Sequence, residues 1–125
     1  MCWCADWKFI IIRLMLTDLY ICKNSQKMKL KEITSHLESI APLAYQESYD
    51  NSGLICGNQE MDITGAVICL DSTEAVIDEA IANKCNLVIA HHPIVFSGIK
   101  KFNGKNYVER VIIKAIQNNI AIYAA

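Results

Sequence analysis

Apolar residues along this chain follow two patterns, stripes at helical spacing and short continuous runs. Four continuous runs, at residues 54–57, 65–70, 87–90 and 120–125, predict strands, most of them buried on both faces. Three stripes predict amphipathic helices, because residues three or four positions apart share one face of a helix. The stripes are formed by Leu30, Ile33, Leu37 and Ile40, by Val76, Ile77, Ala80 and Ile81, and by Val108, Val111, Ile112, Ala115 and Ile116.

The order of these elements predicts an α/β fold. From residue 65 onward strands alternate with helices, as in βαβ units with right-handed crossovers. We therefore expect a mixed or mostly parallel sheet with flanking helices. The last strand, at residues 120–125, coincides with the last residue of the chain, so we expect an incomplete domain. An exposed edge beside that strand is expected to pair with another chain and to promote aggregation.

The segment before the second helix has the form of a helix start. Asp71-Ser72-Thr73-Glu74 matches the D-x-x-E pattern, in which the first side chain caps the helix and the fourth reaches back. We therefore predict Asp71 as the N-cap. Asp71 also stands at the carboxyl end of a predicted strand, where it would alternatively support a metal site by binding one of its ligands.

Two adjacent histidines, His91 and His92, follow the strand at residues 87–90, and Pro93 follows them. Proline has no N–H to donate to a central strand ladder, so the strand is expected to stop at or just after the histidines. The carboxyl ends of strands are where open α/β sheets bind ligands. The pair therefore lies where a ligand site is expected.

Two imidazoles in this place have two interpretations, of which the first is metal binding. Neighbouring residues of a strand face opposite ways, so the pair fits two ions lying close together better than one shared ion. Neutral imidazole suits zinc, iron, copper and nickel, and further ligands must come from elsewhere. The alternative is a stacked or hydrogen-bonded pair of ordinary loop histidines, and spacing alone does not separate the two interpretations.

The other polar candidates have simpler interpretations. His36 stands beside the first helical stripe, as a solvated side chain would. Lys100 and Lys101, in the long connection 93–106, fit phosphate binding or plain solvation, and residues 50–53 fit a turn. Glycine-rich nucleotide-binding patterns are absent from the sequence, so we predict no residues that bind an organic cofactor.

The composition of the chain indicates which classes of protein and which partners to expect. The 125 residues are 53% hydrophobic and 20% charged, which is typical of one folded domain. The net charge of -1 gives no reason to expect nucleic acid or a membrane as a partner. Six scattered cysteines without a C-x-x-C pair indicate reduced thiols, and we expect a cytoplasmic protein.

Residues 1–27 differ in character from residues 28–125. Their apolar stretch is interrupted by Arg13 and Asp18, so it is too short for a bilayer-spanning helix and poor as a signal peptide. Met28 opens a stretch of more ordinary domain character. We expect residues 1–27 to be a dispensable N-terminal extension and residues 28–125 to be the N-terminal part of an α/β domain.

From residue 28 onward the chain resembles the Nif-three-like family of dinuclear metal centre proteins, also named GTP cyclohydrolase I type 2 homologues. The histidine motif with its strand is the most specific part of the resemblance. The segments that carry it are Tyr49-Asp50-Asn51-Ser52-Gly53-Leu54, Cys69-Leu70-Asp71-Ser72-Thr73, Leu87-Val88-Ile89-Ala90-His91-His92-Pro93 and Ile120-Ala121-Ile122-Tyr123-Ala124-Ala125.

The resemblance implies that His91 and His92 each bind one ion of a two-metal centre. The ions would be divalent zinc, iron or manganese. In the family a bridging Asp comes from a His-Thr-Asn-Leu-Asp segment directly after the strand that ends here at Ala125, and a His and a Glu near the family's C-terminus complete the site. The resemblance further implies a hexameric ring and hydrolysis of GTP or a similar purine nucleotide.

We therefore interpret the chain as an N-terminal fragment of a metal-dependent hydrolase that holds half of a dinuclear site and is inactive alone. The resemblance identifies no catalytic residue in this chain. The alternatives are a non-catalytic metal-binding or scaffold protein, and an inactive truncated product.

Overall fold

In the described part of the chain, six strands form one mixed β-sheet flanked by three α-helices. The computed structural model describes the backbone of residues 9–13 and 20–125 and the side chains of residues 27–125. The helices are α1 (Leu30–Ile40), α2 (Glu74–Ala82) and α3 (Tyr107–Gln117). The strands are β1 (Phe9–Arg13), β2 (Tyr20–Lys29), β3 (Gly53–Cys56), β4 (Asp62–Asp71), β5 (Leu87–His92) and β6 (Ala121–Ala124).

The sheet has the strand order β1-β2-β4-β5-β6-β3. Its centre is parallel, because β4, β5 and β6 run in one direction and α2 and α3 connect them. The other strands, β1, β2 and β3, pair with their neighbours in antiparallel fashion. This arrangement confirms the predicted α/β fold with a mixed sheet and βαβ units, and it brings the carboxyl ends of three strands to one edge.

Alternating side chains of the sheet build two apolar layers. One alternate set, which includes Val67 and Val88, packs with α2 and α3. The other set, which includes Leu87 and the nearly fully buried Tyr123, packs with Leu30 of α1. Because β5 and β6 are covered on both faces, their sequences are continuous apolar runs rather than alternating ones.

The predicted N-cap of α2 is wrong. The helix begins at Glu74, and its N-cap is Thr73, whose side-chain oxygen accepts a hydrogen bond from the backbone N–H of Val76. Asp71 lies in β4, which extends one residue beyond the predicted apolar run. Glu74 does not reach back, because its carboxylate accepts a hydrogen bond from Arg110 Nε of α3 at 2.7 Å. The D-x-x-E pattern therefore describes two acidic residues with other partners.

The expectation of an exposed edge beside the last strand is also wrong. β6 lies between β5 and β3, and β3 pairs with it from Gly53 opposite Ala124 to Cys56 opposite Ile122. Within the described residues the outer strands are β1 and β3. β3 is four residues long and carries a register shift, which are features that limit edge-to-edge pairing with other chains.

The predicted extension, residues 1–27, is described only in part. Residues 1–8 and 14–19 lie outside the described residues, and with them Cys2 and Cys4. β2 runs from Tyr20 to Lys29 and pairs with β4, so this strand continues across the expected boundary at residue 28. The division of the chain at that residue stays a prediction. Among the helices that the structure describes, none has the length and apolar character needed to cross a bilayer.

Gly57 tests the pairing between the end of β3 and β6. Its φ of +128° is unfavourable for other residues, and an added Cβ would lie 2.6 Å from Ala121 Cβ and 3.1 Å from Ala121 Cα. We expect Gly57→Ala to lower the free energy of unfolding by about 2 kcal/mol or more, through backbone strain and overpacking. Urea unfolding followed by circular dichroism measures this.

Gly98→Ala is the matched control. An added Cβ at Gly98 meets no atom within 4 Å. We expect this variant to change the free energy of unfolding by no more than about 0.5 kcal/mol. Equal unfolding curves for the two variants would contradict the close approach of Gly57 to β6.

Candidate metal centre

His91 and His92 are the last two residues of β5, at the carboxyl edge of the parallel part of the sheet. Pro93 ends the strand there, as predicted, because it has no N–H to continue the ladder. Asp71 of β4 is paired with His92 in register, and Ala124 of β6 is paired with Ala90. Residues from three neighbouring strands therefore meet at this edge.

The two imidazole rings are exposed and lie close together. Their centroids are 4.8 Å apart, and the ring planes are tilted by 47°. Simple alternation along a strand would direct the two side chains to opposite faces of the sheet. The close approach of the two rings at the rim of the sheet departs from that simple alternation.

The carboxylate of Asp71 contacts His92 directly. His92 Nδ1 lies 2.9 Å from Asp71 Oδ1, and both side chains are about half exposed. An ionised carboxylate only accepts hydrogen bonds, so Nδ1 of the ring donates. Nε2 is then the nitrogen of the neutral ring that carries a lone pair. This is the arrangement in which metal-binding histidines are commonly held by a second residue.

Sequence reasoning favoured the wrong role for Asp71. The D-x-x-E pattern gave it a capping role, whereas Thr73 caps α2 and leaves the Asp71 carboxylate available to His92. The contact between Asp71 and His92 follows from the parallel order of β4 and β5, because residues at the carboxyl ends of neighbouring parallel strands lie close together. Predicting this contact required a β4 strand that extends to residue 71.

Asn51 holds the chain that leaves the histidines, a role that sequence reasoning did not identify. Its side-chain Nδ2 donates to the carbonyl oxygen of Val95 at 2.7 Å. Asp50 accepts from the backbone N–H of Asn51 at 2.8 Å, which fixes the turn before β3. The segment that was interpreted as a possible simple turn therefore fastens the loop three residues after His92.

Glu109 fastens the far end of that loop. Its carboxylate is buried and accepts hydrogen bonds from the backbone N–H groups of Asn103 and Lys105 at 3.2 and 3.0 Å. The Asn106 side chain caps α3 by accepting from the N–H of Glu109 at 2.9 Å. The connection from residue 93 to residue 106 is thus anchored at both ends.

The remaining sequence candidates lie apart from this arrangement. His36 is exposed on α1, a helix that packs on the face of the sheet opposite to α2 and α3. Lys100 and Lys101 are exposed in the connection after β5, and no ion pair to either is present in the described residues. Solvation accounts for all three side chains.

Cys69 is the nearest soft side chain on the same strand as Asp71, yet it is poorly suited to bind a metal. Burial, and secondarily the Asp71 carboxylate, raise the pKa of its thiol to about 11. Burial likewise raises the pKa of Cys56. Both thiols therefore remain protonated near neutral pH. Because the thiolate is the form that binds metals, these cysteines are structural residues rather than metal ligands.

The donor set of the described residues fits part of a metal site. His91 and His92 supply two imidazole nitrogens, and among residues 27–125 no group of three or more His, Cys, Asp or Glu side chains is placed to hold an ion. Two nitrogen donors with accessible rings suit a divalent transition metal whose remaining positions are filled by oxygen ligands or water.

Known proteins are similar to this chain in sequence and in fold. The family model Duf34/NIF3 (NGG1p interacting factor 3) matches residues 28–125. A GTP cyclohydrolase 1 type 2 homolog of Clostridium acetobutylicum is 40% identical over 98 residues, which cover 78% of this chain and 37% of that protein. NIF3-like protein 1 of Rattus norvegicus is 35% identical over 107 residues, which cover 84% of this chain and 28% of the rat protein.

A solved structure of a Bacillus cereus protein related to NIF3 matches with a TM-score of 0.72 and 38% sequence identity. The match covers 81% of this chain and 28% of the Bacillus cereus chain. The chain therefore spans well under half the length of the relatives that it matches.

The state of Cys69 can be measured by alkylation. At pH 8 a thiol of this pKa is ionised to only about one part in a thousand, so iodoacetamide should label it slowly in the folded protein. We expect labelling at least about 100-fold slower than at the same residue in urea-unfolded chain, measured by mass spectrometry of the Cys69 peptide. Rapid labelling in the folded state would contradict the assignment of Cys69 as a protonated structural residue.

Proposed function

This chain belongs to the Duf34/NIF3 family, and we propose that His91 and His92 bind divalent transition metal ions as one half of a dinuclear metal centre. Zinc, iron and manganese are the candidate ions. The proposal for this chain is limited to metal binding. Activity is proposed for the complete site of the longer relatives.

The hydrogen bond between His92 Nδ1 and Asp71 Oδ1 is the observation that carries the proposal. It orients one ring with Nε2 available, and the neighbouring ring of His91 stands 4.8 Å away between centroids. Close rings alone also fit a stacked pair of ordinary loop histidines. The Asp71 carboxylate that contacts His92 from the neighbouring strand is the feature that favours ligands over two unrelated surface side chains.

The path of β6 supports the position of further ligands. The backbone N–H of Ala125 donates a hydrogen bond at 2.8 Å to the carbonyl oxygen of Ala90, the residue directly before His91. The carboxyl end of β6 is therefore at the same edge as the histidines. In the family that this chain resembles, a bridging Asp follows this strand, and its position next to β5 would suit that role.

We propose metal-dependent hydrolysis of a purine nucleotide such as GTP as the activity of the complete site. When bound, two neighbouring divalent ions activate water near neutral pH and polarise a substrate oxygen. The name GTP cyclohydrolase 1 type 2 homolog, which curated relatives carry, agrees with this reaction class. In this chain His91 and His92 would hold the ions, and Asp71 would orient His92. The hexameric ring stays a prediction.

Zinc titration tests metal binding by the histidine pair. We expect the full chain to bind Zn²⁺ weakly, and the His91→Ala, His92→Ala double variant to lose at least about tenfold in affinity, since two nitrogen ligands are removed. Competition with a chromophoric zinc indicator measures the affinities. His36→Ala is the control, because it removes an exposed histidine from α1, and it should leave the affinity unchanged.

Two outcomes would decide against the proposal. Equal affinity in the wild type and the double variant would remove the pair from the site, and an equal loss in His36→Ala would indicate non-specific surface binding.

An assay for GTP conversion by the metal-loaded chain, monitored by liquid chromatography, separates a hydrolase from a non-catalytic metal-binding protein. Only conversion that is lost in the double variant would assign the hydrolysis to this chain.

A further inference from the structure

The two histidines of the pair have different surroundings. His92 is held by Asp71, which is its register partner on the neighbouring strand β4. The ring of His91 has no hydrogen-bond partner among residues 27–125. A ligand whose ring is already oriented loses less conformational freedom on binding an ion than one whose ring is free to rotate.

The Asp71 carboxylate is available to His92 because it does not cap α2. Thr73 caps α2, and the carbonyl oxygen of Asp71, rather than its carboxylate, accepts the turn hydrogen bond from the N–H of Thr73 at 3.1 Å. In the described residues His92 is the one ion-pair partner of the Asp71 carboxylate. The contact to His92 is therefore its main interaction.

The contact also decides which nitrogen of His92 can bind an ion. With Nδ1–H directed at the carboxylate, the neutral ring exposes the lone pair of Nε2. The carboxylate further increases the basicity of the ring as a ligand. No described residue gives His91 an equivalent preference.

We propose that Asp71 is a positioning residue that fixes His92 as an Nε2 ligand, so that the two histidines are unequal and the first ion binds at His92. This inference rests on the proposed function for its metal-binding part. Its structural part, the tautomer of His92, is independent of any metal.

The tautomer is measured first, on the metal-free full chain. Long-range ¹H–¹⁵N NMR spectra at pH 8.5 should show a protonated Nδ1 and an unprotonated Nε2 for His92. In Asp71→Ala we expect a shift towards the Nε2–H form. A wild-type ring that carries its proton on Nε2 would overturn the positioning role, whatever the metal results are.

Zinc affinity is measured next, with matched variants. Asp71→Ala should weaken binding of the first ion about tenfold, the lower end of what loss of such a partner costs. Asp78→Ala removes an equally exposed carboxylate that pairs with Lys114 instead, so it controls for the loss of charge and should change the affinity less than twofold. His92→Ala should weaken first-ion binding at least as much as Asp71→Ala does. His91→Ala should weaken it less than His92→Ala does.

The double variant Asp71→Ala, His92→Ala separates positioning from a general effect on structure. If Asp71 acts through His92, its removal should have no further effect once His92 is absent. An undiminished tenfold loss in the His92→Ala background, or a larger loss in His91→Ala than in His92→Ala, would overturn the proposal. If zinc binding depends on neither histidine, the proposed function fails, and the NMR result still decides the role of Asp71.

Discussion

The parallel pairing of β4 with β5 is the constraint on which the site depends. It sets Asp71 opposite His92 and brings a carboxylate and an imidazole within 2.9 Å at the edge where both strands end. Two consecutive parallel strands need a crossover connection that carries the chain back, and α2 lies in that connection between β4 and β5. The apolar face of α2, with Ile77 and Ala80 fully buried, therefore contributes to the geometry of a polar site that it does not touch.

The residues around the histidines keep that edge in a defined conformation. Thr73 caps α2 and leaves the Asp71 carboxylate to His92, Asn51 binds the carbonyl oxygen of Val95, and Glu109 fastens the distal end of the loop. These three hydrogen bonds are 3.3, 2.7 and 3.0 Å long, and each joins a side chain to a backbone group. Together they support two exposed rings without burying them, which leaves the rings accessible to an ion.

Local sequence patterns predicted much of the fold. The helices α1 and α3 were predicted because their apolar residues recur at helical spacing, and the end of β5 was predicted because Pro93 cannot continue a ladder. Two long-range features escaped prediction. The pairing of β3 with β6 places Gly53 opposite Ala124, which is far from it in the sequence, and no local pattern in either strand indicates this pairing. The role of Asp71 was ambiguous, because an acidic residue before a helix fits both a cap and a strand end.

Zinc K-edge X-ray absorption of the zinc-loaded chain tests the central claim, that the histidine pair at the sheet edge binds the metal. If it does, zinc has nitrogen or oxygen neighbours at about 2.0–2.1 Å, with the outer-shell scattering of imidazole rings. That imidazole signal should disappear when both His91 and His92 are replaced by alanine. Sulfur neighbours at about 2.3 Å, or an imidazole signal that persists without the pair, would contradict the claim.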